Sequence, residues 1–355
     1  MKKLETDISR KLLKPRWAVN VGNYVTSLKY SPEGTVLAGT QADGGVFWIL
    51  EGSKEAICIP THKKGGLCSG LCSDWSSDGK YFASGGQDGT IRIWNIGQGK
   101  TSAEVDAGGG WVENLAWHPT EPFLAASAGK KLKIFDSQGE LIQEVGDFAS
   151  TISGISWNKK LNSLGVVCYG NVRFYQMSSE NSWSKPWKNY QLKSSLLSIK
   201  WAPDGKHIAC SCQDNSVHVW ILRNDEDLEM SGYAVKVRDL DWDEKSRFLA
   251  TTGADRITLW DFSGKGPAGT RPLELKGHAD LVTRLSFQPG GKLLASASQD
   301  GSVMFWSPFS EKTQPLGIGV GETEPSTLSW HASGSHLAAG YSNGHVIAWS
   351  TPQDT

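Results

Sequence analysis

The chain has 355 residues, of which 39% are hydrophobic and 21% charged, and its 36 basic residues against 37 acidic ones leave a net charge of −1. That balance excludes a disordered chain and offers no global field to draw the protein to nucleic acid or an anionic bilayer; no stretch is apolar enough to cross a membrane. Length alone does not fix a domain count, because a repeat array can fill this length as one unit.

From the N-terminus, MKKLETDISRKLLKPRW alternates charges with single apolar residues and lacks the uninterrupted apolar core of a secretory signal. Six cysteines without the dense spacing of a disulfide scaffold fit free thiols in a reducing compartment, so the cytoplasm is the expected location. Residues 1–15 read as an extension. Leu4, Ile8 and Leu12 would form one apolar stripe on a short helix, but a helix of this length is marginal alone, and a flexible tail is the other state.

From residue 16 onward the sixteen tryptophans expose a period. Trp75, Trp117, Trp157, Trp201, Trp242 and Trp330, with Tyr30 and Phe287 in the same place, close a run of apolar, two variable, apolar, one variable, aromatic, the second copy departing from it with Ser73. A second aromatic follows each by 18 or 19 residues: Trp48, Trp94, Phe135, Tyr175, Trp220, Trp260, Trp306 and Trp349. The text between them, as in WSSDGKYFASGGQDGTIRIW and FQPGGKLLASASQDGSVMFW, reads strand, turn, strand, turn, strand, with Asp-Gly turns whose glycine accepts positive φ. A fourth, weaker strand follows, as in EAICI, TSAEV, LIQEV and PLELK. Four antiparallel strands at a period of about 40 to 45 residues predict an all-β propeller with eight blades.

The seventh copy carries Gly277-His278 ahead of its first strand, Asp300 in a turn and Trp306 closing the third strand, and the sixth ends in Trp260-Asp261. In these residues the chain resembles the WD-repeat β-propeller family over roughly residues 17–350. The resemblance implies a buried hydrogen-bonded chain of His278, Ser296 or Ser298, Asp300 and Trp306 that locks the blade. It implies the same chain nowhere else: Asp43, Asp88, Asp214 and Asp255 keep the turn acid without the histidine. It also implies seven blades as the commoner count, the alternative to eight. The eighth copy stops at Trp349, too close to the C-terminus for a fourth strand, while Trp17-Ala-Val-Asn-Val21 reads as an isolated strand. The N-terminal strand is therefore expected to complete the last blade, giving a propeller over 16–350 and a tail at 351–355.

The absence of G-x-x-x-x-G-K-[ST], H-E-x-x-H and C-x-x-C motifs, and a Gly317, Gly319, Gly321 run that opens no helix and reads as a linker, point away from an enzyme. The expected function is a scaffold or adaptor that binds one or more proteins, with no nucleic acid or membrane partner, and is a monomer outside its complexes. Three junctions between repeats run long: Trp48 to Trp75, Tyr175 to Trp201, and Trp260 to Phe287. Insertions map to loops on the faces of the array, where binding residues concentrate. In the second of them Trp183 and Trp187 belong to no repeat position, and either anchor an interface or pack on the blade edge.

Strand alternation turns a polar file toward the central channel, in which Lys29, Lys200 and Arg284 meet Asp74, Asp239 and Asp241. Lys200, Asp239, Arg284 and the extra Trp111 are the candidate partner-binding residues at the channel mouth. Cys58, His62, Cys68 and Cys72 are all zinc-ligand types within fifteen positions, but C-x3-H-x5-C-x3-C matches no established finger, and buried structural cysteines are the competing reading. No cofactor is expected on that reading, with zinc handling or sensing as the alternative.

Overall fold

A computed structural model describes residues 11–62, 69–146, 148–176, 185–310 and 313–352. Among them the secondary structure is β throughout, apart from one short 3-10 turn at Ile96–Gln98. Each repeat folds where its alternation predicts. The first copy, for example, is Val25–Tyr30, Val36–Gln41, Gly45–Leu50 and Ile57–Pro60, antiparallel neighbours in that order.

The strands form seven hydrogen-bonded sheets, six of four strands and one of six. The six-stranded sheet holds the fourth and fifth copies together. Its long strand Ser163–Gln176 is a folded-back hairpin: Ser163 Oγ donates to the Tyr175 carbonyl at 3.1 Å, positions that a straight strand would place about 40 Å apart at roughly 3.3 Å per residue. Gly170, at φ 77°, makes the turn. The pair Tyr169↔Ser195 then carries the ladder onward, and the following strand pairs Leu196 with Cys212 in the fifth copy. The fourth copy lacks the Asp-Gly turn, and its tight Tyr-Gly-Asn substitute lets the ladder run through. Counted as sheets the propeller has seven members, the alternative expectation, so the expectation of eight separate sheets is corrected. All eight copies of the repeat are present, two of them sharing a sheet.

The last sheet is completed from the other end of the chain. Trp17–Asn20 pairs antiparallel with His345–Ser350, in the register Trp17↔Ala348 to Asn20↔His345. Arg16 N donates to Ala348 O at 2.7 Å and Val21 N to Gly344 O at 2.8 Å, extending the seam at both ends. Val19 and Val21 enter one apolar cluster with Val25, Leu28 and Phe47 of the first copy and Val346 and Ala348 of the eighth. The other clusters likewise draw residues from neighbouring copies, as in the one joining Ile257 and Leu259 to Leu285, Leu294 and Trp306. The core therefore lies between copies rather than within any one of them.

The N-terminal extension is engaged further upstream than the repeat pattern indicates. Leu12 bridges in parallel to Ile318 of the seventh copy; Leu13 N donates to Ile318 O and Ile318 N to Lys11 O, each at 2.8 Å. Leu12 is thus extended; Leu4 and Ile8, the rest of the predicted apolar stripe, lie outside the described residues, as do 353–355 of the tail. The glycine run is corrected as well, for Gly317–Val320 is the outermost strand of the seventh copy and not a linker. A Cβ on Gly317 would lie 2.8 Å from Leu13 Cδ1, and one on Gly319 would lie 2.5 Å from the Trp349 ring. The small residues let the extension and the eighth copy close over this strand.

Replacing Val19, 6% exposed in the closing strand, by Asp puts an unpaired carboxylate into that cluster. It is expected to lower stability by about 3 kcal/mol, visible as a lower midpoint in a thermal melt followed by circular dichroism, whereas Val19→Ile leaves the midpoint nearly unchanged. Equal midpoints for Val19→Asp and the parent chain would show that the ring does not depend on this strand.

Candidate interaction site

The inner strand of each sheet faces the channel with one row of backbone groups unpaired by any further strand, and buried N–H groups need acceptors. The polar file supplies them from one copy to the next. Asp74 Oδ2 accepts from Trp117 N at 2.7 Å, Asp241 Oδ2 from Phe287 N at 2.8 Å, Asp239 Oδ2 from Leu285 N at 3.0 Å, and Ser329 Oγ from Tyr30 N at 2.9 Å. The inner tryptophans return the stitch: Trp75, Trp157, Trp201 and Trp330 donate Nε1 to the carbonyls of Lys29, Ala116, Ser156 and Ser286 in the preceding copies. Lys29 pairs with Asp74 at 2.7 Å and Lys200 with Asp241 at 3.5 Å, again across copies.

Lys200, Asp239 and Arg284 do come together, with Lys29 and Asp241, in a depression of about 370 Å³ at one channel mouth. Asp241 raises the Lys200 pKa, while burial raises that of Asp239 against the pull of Lys200 and Arg284. These charges are largely spent on one another and on backbone amides. Trp111, 47% exposed, precedes the inner strand Val112–Trp117, whereas the depression lies at the aromatic end of the inner strands, beside Tyr30, Phe287 and Trp330. Trp111 therefore belongs to the opposite mouth, which corrects the placing of these four residues at one site.

The cysteine and histidine cluster resolves differently from a zinc site. His62 is fully buried, with Nε2 2.9 Å from Ser84 Oγ and Nδ1 3.0 Å from Asp88 Oδ1, while Trp94 Nε1 donates to Ser84 Oγ at 3.0 Å. Both imidazole nitrogens are occupied by this locking chain, so the second copy has the buried tetrad expected of the seventh alone. Cys58 Sγ is directed at the Val21 carbonyl and Cys72 Sγ at the Val112 carbonyl, and burial raises both thiol pKa values, disfavouring the thiolate that zinc needs. Cys68 lies outside the described residues. The seventh copy forms its chain through Ser296, whose Oγ lies 2.7 Å from His278 Nε2 and accepts from Trp306 Nε1 at 2.8 Å; Ser302 links His278 Nδ1 to Asp300.

A third version stands in the sixth copy, where Trp260 Nε1 donates to Tyr233 OH and that hydroxyl meets Thr251 Oγ1, each at 2.8 Å. Tyr233 precedes Trp242 by nine residues, as His278 precedes Phe287. That offset was the available signal. His62 escapes it because the long junction puts it thirteen residues ahead of Trp75.

Among the described residues, one further set, Glu51, His331 and His336, brings ligand-type atoms within 4.8 Å of one another at the seam of the first and eighth copies. His331 is already committed as a turn cap: Ser333 N donates to its Nδ1, and Nε2 lies 3.1 Å from Gly34 O. Arg16 stands 3.6 Å from Glu51. Burial, reinforced by His331 and Arg16, lowers His336 to about 4 against the opposing pull of Glu51, and its neutral Nε2 lies 3.1 Å from Tyr30 OH. The set reads as a polar clasp across the seam.

A wide groove lies elsewhere. Because neighbouring strands are antiparallel, the turns joining first to second and third to fourth strands gather on one face of the ring, here termed the lower face. Such turns from the fourth, fifth and sixth copies enclose about 890 Å³, lined by Leu161, Trp187, residues 204–207, 221–223, 245–247 and 262–268. Two of the three long junctions supply walls, Trp187 from one and 264–268 from the other. Trp187 is 42% exposed; its Nε1 donates to Ser163 Oγ at 2.9 Å and its ring lies 5.8 Å from Phe174, so it is both packed and presented. Trp183 lies outside the described residues.

With this geometry, the comparisons with known proteins agree. The family described as WD domain, G-beta repeat matches at residues 54–95, 100–136, 187–220 and 269–307, taking in the second, third, fifth and seventh copies. The anaphase-promoting complex subunit cdc20 of Dictyostelium discoideum is 21% identical over 251 residues, which is 68% of this chain and 49% of that protein. Protein transport protein SEC13 of Mycosarcoma maydis is 27% identical over 330 residues, 76% of this chain and 85% of that one. The chain thus spans about half the length of the cdc20 relative. The crystal structure of Saccharomyces cerevisiae Sqt1 superposes with a TM-score of 0.79 over 96% of this chain and 100% of that one, at 14% identity, a likeness of fold. Four of the eight copies thus match the WD-repeat family, and the fold is a β-propeller.

Two acid-sensitive contacts follow from these environments. Hydrogen bonds from His62 and Arg92 hold Asp88 at about 2 despite its burial. A depressed carboxylate contributes stability above its unfolded pKa near 4 and loses it as pH falls toward the folded value, so Asp88→Asn is expected to cost about 2 kcal/mol at neutral pH and to flatten the melting profile between about pH 4 and 2. His336 has the same outcome by the opposite route: its folded value is lowered, the unfolded chain takes up the proton first, and stability falls as pH drops from about 6.5 to about 4. Melts of His336→Asn across that interval are expected to lose the slope that the parent chain shows. An unchanged slope would mean that the seam histidine is not held neutral.

Proposed function

We propose that the chain is a non-catalytic adaptor that binds one or more proteins in the cytoplasm, with the lower-face groove as its principal contact. The observation that carries this reading is Trp187, a large ring packed on a sheet edge yet 42% exposed at the wall of the lower-face groove. Binding surfaces concentrate energy in a few tryptophans of this kind. The channel charges, by contrast, are engaged in stitching copies together. The cdc20 relative is named as a subunit of a complex, which fits an adaptor role.

The test is affinity capture with the tagged full chain from its native lysate, beside Trp187→Ala. Proteins retained stoichiometrically by the parent are expected to fall by at least about tenfold on the variant, with the melting transition of the variant still cooperative. Retention at equal yield would remove Trp187 from the interface and overturn this placement.

A further inference from the structure

Resting on the reading of the lower-face groove as a protein-binding site, we infer that its occupant is an extended acidic peptide segment carrying an apolar side chain between its carboxylates. The groove is the place where the charge balance of the chain breaks. Its lining includes Lys206, Arg223, Lys245, Arg247 and Lys265 against Asp204 and Glu226. Lys206 is paired with Asp204 at 3.6 Å and Arg247 with Asp261 at 3.5 Å. Arg223, Lys245 and Lys265 have no ion-pair partner among the described residues, and all three are exposed. In the channel, the polar file sets three cations against three anions and pairs most of them.

Between the cations the floor is apolar, made of Leu161, Ile221, Leu222, Leu228 and Phe262, with Trp187 at one side. A cationic rim over an apolar floor selects a ligand with negative charges flanking a hydrophobic anchor: the carboxylates meet exposed cations while the anchor leaves water. The volume, about 890 Å³, exceeds what one side chain fills and suits several residues of extended chain. The Gly264, Lys265, Gly266 stretch, with Gly264 at φ 60° and Gly266 at φ 79°, places Lys265 on a glycine-favoured turn in the groove wall.

The test is selection of a random phage-displayed peptide library of about 12 residues on the full chain, in parallel with the variant Arg223→Glu, Lys245→Glu, Lys265→Glu, which alters exposed groups and leaves the core intact. Fluorescein-labelled synthetic copies of the selected peptides are then titrated by anisotropy. Sequences with at least two Asp or Glu residues around a Leu, Ile, Phe or Trp are expected to be enriched on the parent. They are expected to bind the variant at least about tenfold more weakly, and to weaken between about 0.1 M and 0.5 M salt as exposed charges are screened. Enrichment of basic or neutral sequences, equal binding to parent and variant, or displacement of the peptides by a single-stranded RNA oligonucleotide that itself depends on the three cations would overturn the inference. Native partners lost on Trp187→Ala but kept by the charge-reversed variant would leave the adaptor reading standing and remove the acidic occupant alone.

Discussion

No copy of the repeat in this protein can bury its apolar face by itself. Val19, Val21, Phe47 and Val346 come from three places in the chain and make one cluster, and Leu259, Leu285 and Trp306 make another across the sixth and seventh copies. Each sheet thus stabilises its neighbours and depends on them, and the dependence runs round the ring until it meets the two ends. There the antiparallel pairing of Trp17–Asn20 with His345–Ser350 supplies the missing strand and removes an exposed edge. The rest of the architecture, including the channel stitches and the groove walls, presupposes that closure.

Polar groups are used with the same economy. A strand hydroxyl stands between an indole and an imidazole in His62–Ser84–Trp94 and His278–Ser296–Trp306, while in the sixth copy the Tyr233 hydroxyl stands between the Trp260 indole and Thr251. In the channel, Asp74, Asp239 and Asp241 satisfy amides of the next copy. A channel lined by ionisable residues is therefore no evidence of an active centre here. What distinguishes the lower-face groove is that Arg223, Lys245 and Lys265 are not used in this way.

The propeller was legible because burial forces an aromatic or aliphatic residue into the same two positions of every copy, and Asp-Gly turns mark the strand ends between them. The closing strand was legible because Trp17–Val21 reads as a strand that belongs to no copy of its own. The fusion of the fourth and fifth copies was not, since it depends on the ladder passing through Tyr169↔Ser195, a pairing between residues with no distinctive pattern. The His62 cluster misled because ligand residue types close in sequence need not share a point in space; strand geometry sends Cys58 and Cys72 to different carbonyls. The long junctions did flag Trp187 and the 264–268 loop. That they meet at one groove follows from the alternation of turns between faces, and the cations of that groove come from turns up to about forty residues apart in sequence.

The seam between Trp17 and Ala348 also sets an order of events during synthesis. The strand Trp17–Asn20 has no partner in its sheet until residue 350 has followed it, an interval of tens of seconds at roughly 5–20 residues per second. Through that interval Val19 and Val21 lack Val346 and Ala348, the side of their cluster that the eighth copy supplies, and successive copies can stack only on those already made. The nascent ring grows as an open arc with one unfinished end, and becomes a closed body in a single late step that joins strands more than three hundred residues apart.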